Sequence, residues 1–165
     1  MAGDFDVEQT DVDEQNFYVD TIFIHPDFSG LENDFAILHL NASMSFAETW
    51  AIQKMCLPTS CSDGCAAPDP VMVAGWGATD STETYLSRYL RATEIMITSR
   101  TTCSEQYSTF TDSMLCAGLS TGGADFCAGD DGGPLLGKYN GQYKICGIAS
   151  YGGVCGNANS HGVYA

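Results

Sequence analysis

Residues 127–134 read Cys127-Ala128-Gly129-Asp130-Asp131-Gly132-Gly133-Pro134, two adjacent carboxylates set among glycines ahead of the short apolar run Gly133–Leu136. Outward from this stretch, runs rich in β-branched and aromatic residues recur between turn signals. They are Phe17–Ile24, Phe35–Leu40, Val71–Trp76, Thr93–Thr98, Tyr143–Ser150 and Gly162–Tyr164. His25-Pro26-Asp27, Pro68-Asp69-Pro70, Thr121-Gly122-Gly123 and Tyr139-Asn140-Gly141 separate them with loop or hairpin chemistry. Many short strands with regular turns predict an all-β barrel or sandwich. Only Thr101–Tyr107 reads as a brief helix, with Thr101 or Thr102 as its cap.

Composition narrows the function. The formal charge is −15, and no Lys or Arg precedes Lys54. Such a field repels phosphate backbones and anionic lipid, which argues against nucleic-acid and membrane-surface roles. Cations or a basic protein are the expected counterparts, and a solvated acidic surface is the alternative. No apolar stretch approaches the roughly 20 residues of a membrane helix, and no leader follows Met1. Eight Cys in 165 residues, without zinc-type spacing, point to disulfides and a secreted, extracellular protein. Asn41-Ala42-Ser43 is a glycosylation acceptor triplet, a weak sign in the same direction. The stretch Pro58–Pro70 reads as a connector between a first unit, 1–57, and a second, 71–165.

The opening stretch resembles the nucleophile loop of the chymotrypsin/trypsin family of serine proteases, Gly-Asp-Ser-Gly-Gly-Pro, with Asp131 where the serine stands. Further likenesses follow in order. Asn33-Asp34-Phe35-Ala36-Ile37-Leu38 resembles the segment carrying the triad aspartate. Val73-Ala74-Gly75-Trp76-Gly77 resembles the strand opening the second barrel. Met114-Leu115-Cys116-Ala117-Gly118 fits the segment before the pocket, and Gly147-Ile148-Ala149-Ser150-Tyr151-Gly152 fits the strand flanking the substrate. His161-Gly162-Val163-Tyr164 resembles the last pocket wall. The resemblance implies a double β-barrel, the first barrel incomplete and the second nearly complete. It also implies that the chain begins beyond the catalytic-histidine segment and stops before the last strand and helix.

Roles follow from acyl-transfer chemistry, which needs a nucleophile, a base, an orienter for the base and donors for the oxyanion. The resemblance puts Asp34 in the orienter's place and the backbone N–H groups of Gly129 and Asp131 at the oxyanion. Asp125 matches the pocket-floor aspartate that selects Lys and Arg, and Ser150, Gly152 and Gly162 match substrate-binding positions. Asp130 matches the aspartate that pairs with the ammonium released on activation; without that cation it is expected to protonate or to leave its loop disordered.

Asp131 is a poor substitute nucleophile. Its attack on an amide would give a mixed anhydride, and its charge sits beside donors meant for an oxyanion. Two like charges roughly 4 Å apart repel by about 4 kcal/mol at an effective dielectric of about 20. That rivals the roughly 3–4 kcal/mol lost with one oxyanion donor. Asp131 is expected to fold into the oxyanion site itself. His25, His39 and His161 read as structural or surface residues, so no base is in sight.

The acidic run Asp4–Glu14 resembles a calcium loop of the family. Asp4 and Glu14 would be carboxylate ligands, Asp6 and Gln9 would give carbonyls, and Asp11 would act through water; oxygen donors of this kind suit Ca²⁺. No other cofactor is expected. The resemblance pairs Cys103 with Cys116 and Cys127 with Cys155. Cys56 is assigned to Cys146, and Cys61 to Cys65 or to a partner beyond the chain. Val71 and Gly137 occupy places where many relatives carry a bridged pair.

Three functions remain. The favoured one is a monomeric, catalytically inactive trypsin-like homologue holding a Lys/Arg-bearing protein or peptide. The second is a secreted trypsin-like endopeptidase cleaving after Lys/Arg, of which this is a partial or altered sequence. The third is an acidic calcium-binding or structural module.

Overall fold

A computed structural model describes residues 1–46, 51–60, 64–79, 82 and 85–165. The strands are β1 (Val19–Ile24), β2 (Ala36–Leu40), β3 (Pro70–Gly75), β4 (Arg91–Ile97), β5 (Leu115–Gly118), β6 (Pro134–Tyr139), β7 (Gln142–Tyr151) and β8 (Gly162–Tyr164). One helix, α1 (Arg100–Gln106), lies between β4 and β5. The all-β expectation holds.

Strands β3-β4-β5-β8-β7-β6 close into an antiparallel barrel. Alternation along each strand sends one set of side chains inward. Val71 and Val73 of β3, Ile95 and Ile97 of β4, Leu135 of β6, Ala149 of β7 and Tyr164 of β8 form its core with Ala117 and Phe126. The turn between β6 and β7 is tight because Asn140 and Gly141 both take positive φ, 50° and 81°. That pair of conformations matches the twist of the flanking strands, and Asn-Gly adopts it readily.

β5 is absent from the strand runs expected above. Leu115-Cys116-Ala117-Gly118 carries no β-branched residue, yet three of its four residues are buried in the barrel. The helix begins one residue earlier than expected and its cap is neither Thr101 nor Thr102. Ser99 is extended, and its hydroxyl accepts from the N–H of Thr102 at 3.2 Å. Tyr107 leaves the helix because its hydroxyl donates to the carbonyl of His161, 54 residues away, at 2.5 Å.

β1 and β2 pair antiparallel as a separate two-stranded sheet. The segment before them is tied to the barrel side by Arg88, which donates to both carboxylate oxygens of buried Asp6 at 2.6 and 2.7 Å. Those hydrogen bonds hold the Asp6 carboxyl below its usual range.

Disulfides join Cys65–Cys146, Cys103–Cys116 and Cys127–Cys155. The assignment of Cys56 to Cys146 is corrected. Cys56 is exposed and bridged to no described cysteine; its carbonyl accepts from Ile145 N–H and it lies opposite Lys144. Cys65 reaches Cys146 instead, with Cα atoms 5.3 Å apart, which also excludes a Cys61–Cys65 bridge. Cys61 itself lies outside the described residues. Gly137 makes the approach possible: a Cβ there would collide with the Gly64 carbonyl and lie 2.5 Å from Cys146 Sγ. Val71 and Gly137 are direct partners across β3 and β6.

Candidate functional site

Three segments converge at one end of the barrel: the 127–134 loop before β6, the end of β7 with the loop after it, and the start of β8. The loop turns on Gly129 and Gly132, at φ 93° and 80°, a conformation that disfavours side chains. It is pinned by Asp130 N–H to the Cys127 carbonyl (3.0 Å), Gly132 N–H to the Ala149 carbonyl (2.9 Å) and Ala149 N–H to the Gly133 carbonyl (2.8 Å). The Cys127–Cys155 bridge ties its start to the segment after β7.

The carboxylate of Asp130 turns inward. It accepts from Gly77 N–H at 2.7 Å and Cys127 N–H at 3.0 Å. Gly75 and Gly77 leave it room, since a Cβ on either would strike it. Two backbone N–H donors thus meet the carboxylate, a partner set that the sequence reading did not foresee. A cavity of about 550 Å³ borders Asp130, lined also by Arg91, Gly77 and Asn157.

Asp131 does not fold into the oxyanion site. Among the described residues its carboxylate takes no hydrogen bond from the N–H of Gly129, and the side chain stays exposed, where water solvates it. The N–H groups of Gly129 and Asp131 likewise find no protein acceptor among the described residues.

Asp131 and Asp125 line the same cleft, of about 370 Å³, together with Phe126 and Gly152. Asp125 accepts from Phe126 N–H at 2.9 Å, but burial outweighs this and pushes its carboxyl up to about 6. Gly162 sits behind the Phe126 ring rather than on the cleft surface.

Asp34, just before β2, accepts from the hydroxyl of Ser150 on β7 at 2.5 Å. The fold thus brings together two expected site residues 116 positions apart in the chain. The three imidazoles are engaged elsewhere. His25 Nδ1 accepts from Asp27 N–H (3.2 Å), His39 pairs with Asp20 (3.2 Å) and His161 with Gln106 (2.8 Å). His161 is buried, which lowers its pKa.

In the acidic run, the Asp6 carboxylate serves Arg88 and its carbonyl accepts from Gln9 N–H at 2.8 Å. Asp11 accepts from Phe5 N–H at 2.6 Å. Asp4 is raised by burial, then by the charges of Glu14 and Asp11. Among the described residues no three His, Cys, Asp or Glu side chains converge as a metal-holding group.

The Trypsin family model matches residues 1–165. The chain belongs to the trypsin family. It is 33% identical to Trypsin-1 of Astacus astacus, over 99% of this chain and 68% of that protein. Against Trypsin of Pleuronectes platessa it is 32% identical, over 99% of this chain and 64% of that one. Against urokinase-type plasminogen activator of Gallus gallus the identity is 31%, over 93% and 37%. The closed barrel and second sheet are those of a trypsin-like double β-barrel.

Within this trypsin-family site, sequence reasoning missed Phe126. Its signal was present: a bulky aromatic in Asp125-Phe126-Cys127, next to the expected pocket floor.

Proposed function

We propose that this trypsin-family chain does not itself cleave peptide bonds, and that its acidic cleft holds a cationic group of a protein or peptide partner. One observation supports the reading: the three imidazoles bond to Asp27, Asp20 and Gln106, and none reaches Asp131, which stands where the resemblance puts the nucleophile. Acyl transfer by the route this family's motifs imply needs a hydroxyl or thiol nucleophile with a base in reach. Asp34, which the resemblance makes the orienter, accepts from the Ser150 hydroxyl and from no imidazole among the described residues.

Support for the cation comes from charge. Asp125 and Asp131 face one cleft in a protein of net charge −15, a field that draws basic partners at low salt. Three disulfides support an extracellular setting.

The test is incubation of the purified chain with Arg- and Lys-ester substrates and a fluorophosphonate probe. Neither turnover nor labelling is expected. Turnover that vanishes in Asp131→Ala would overturn the inactive reading. For the cation, binding of a Lys/Arg-rich peptide should weaken at least tenfold in Asp131→Asn, and equal affinity would count against it.

A further inference from the structure

The cation-binding reading leaves open how deep the cleft runs, and the inference here rests on that reading. Gly152 and Gly162 bring no side chain to the wall. The space they leave is taken by the chain's own Phe126. A Cβ on Gly162 would collide with Phe126 Cε1 and lie 2.6 Å from Cδ1; one on Gly152 would lie 3.6 Å from Cζ. The two glycines lie close together: a Cβ on Gly152 would sit 3.4 Å from the Gly162 Cα.

The ring is held there. It is 8% exposed, meets Tyr164 edge-on with centroids 5.3 Å apart, and belongs to the buried barrel core. Its backbone N–H is fixed on the Asp125 carboxylate. An aromatic ring fixed on two sides has little freedom to swing aside for a ligand. The glycines are therefore shaped to this ring.

We infer that Phe126 is a resident plug: it fills the space between Gly152 and Gly162 that a long cationic side chain would need, and confines cations to the shallow part of the cleft beside Asp131. The bland alternative is that Phe126 fills the core and the opening was never deep. The two differ in what happens when the ring is removed. A plug leaves behind a cation-accepting hole above Asp125; ordinary core filling leaves a dry apolar void or a collapsed one.

The experiment is p-aminobenzamidine binding, by fluorescence titration at pH 8, to the full chain and its variants. Wild type should bind no tighter than about millimolar. Phe126→Ala should bind at least tenfold tighter, and adding Asp125→Asn should abolish the gain. Should Phe126→Ala not fold, Phe126→Val takes its place. Gly162→Ala then gives a second readout: it should lower the Tm of wild type, and by much less in the Phe126→Val background. The plug is overturned if wild type already binds as tightly as the folded variant, or if that variant gains nothing. Arg-ester turnover in any of these proteins would sink the inactive reading and leave the plug standing. Unchanged p-aminobenzamidine affinity without turnover would sink the plug alone.

Discussion

The two sheets of this chain are built from similar residues and end in opposite states. β3 and β4 hide Val71, Val73, Ile95 and Ile97, each no more than 6% exposed. β1 and β2 leave Ile22, Phe23, Ile37 and Leu38 more than half exposed. Both regions pair antiparallel. The difference is closure: six strands wrap a shared interior, whereas β1 and β2 pair only with each other among the described residues and have no second layer there to bury a face against. Strand propensity makes a strand in either case, but only the barrel converts its apolar side chains into stability.

That contrast can be broken most directly by truncation. Leu135→Ala, at a position with no exposure, should cost about 2–5 kcal/mol, read as a lowered urea midpoint. Ile37→Ala, at 66% exposure, should change it by less than about 0.5 kcal/mol. Equal effects would mean that the β1–β2 sheet is packed against something in solution.

A second measurement sharpens how the barrel is held shut. Replacing Cys65 and Cys146 together by Ser should cost about 2–4 kcal/mol, since the bridge spans 81 residues. No loss of Tm would show that the connector packs over Gly137 without it.

The smallest effect is a pH slope inside the barrel's cleft. Asp125 has its folded-state pKa raised from 3.8 to about 6 by burial. The folded state therefore binds the proton more tightly, and this contribution to stability is full below pH 4 and lost as pH rises toward about 6. Asp125→Asn should flatten the fall in Tm across that window. An unchanged slope would place the carboxyl in contact with water.

Most of the barrel was legible because its strands carry Val, Ile, Leu and Tyr in alternation between turn residues. β5 was not, because Leu115-Cys116-Ala117-Gly118 is strand only by its ladder to β8 and β4. Asp125, Asp131 and Gly152, each singled out by an ordered motif, do line one cleft. The site was opaque where the outcome depends on distant backbone. The two N–H donors that calm Asp130 come from its own loop and from Gly77, 53 residues away. Cys65 was preferred over Cys56 by a register that no local pattern encodes.

The seam where Val71 meets Gly137 has a consequence for assembly. The β6–β7 hairpin zips across a two-residue turn, whereas β3 and β6 are the most distant strands in sequence that touch in the ring. Loop-closure entropy must be met before such a remote pairing gives anything back. On that ground the local ribbons are expected to form before the β3–β6 seam closes the ring.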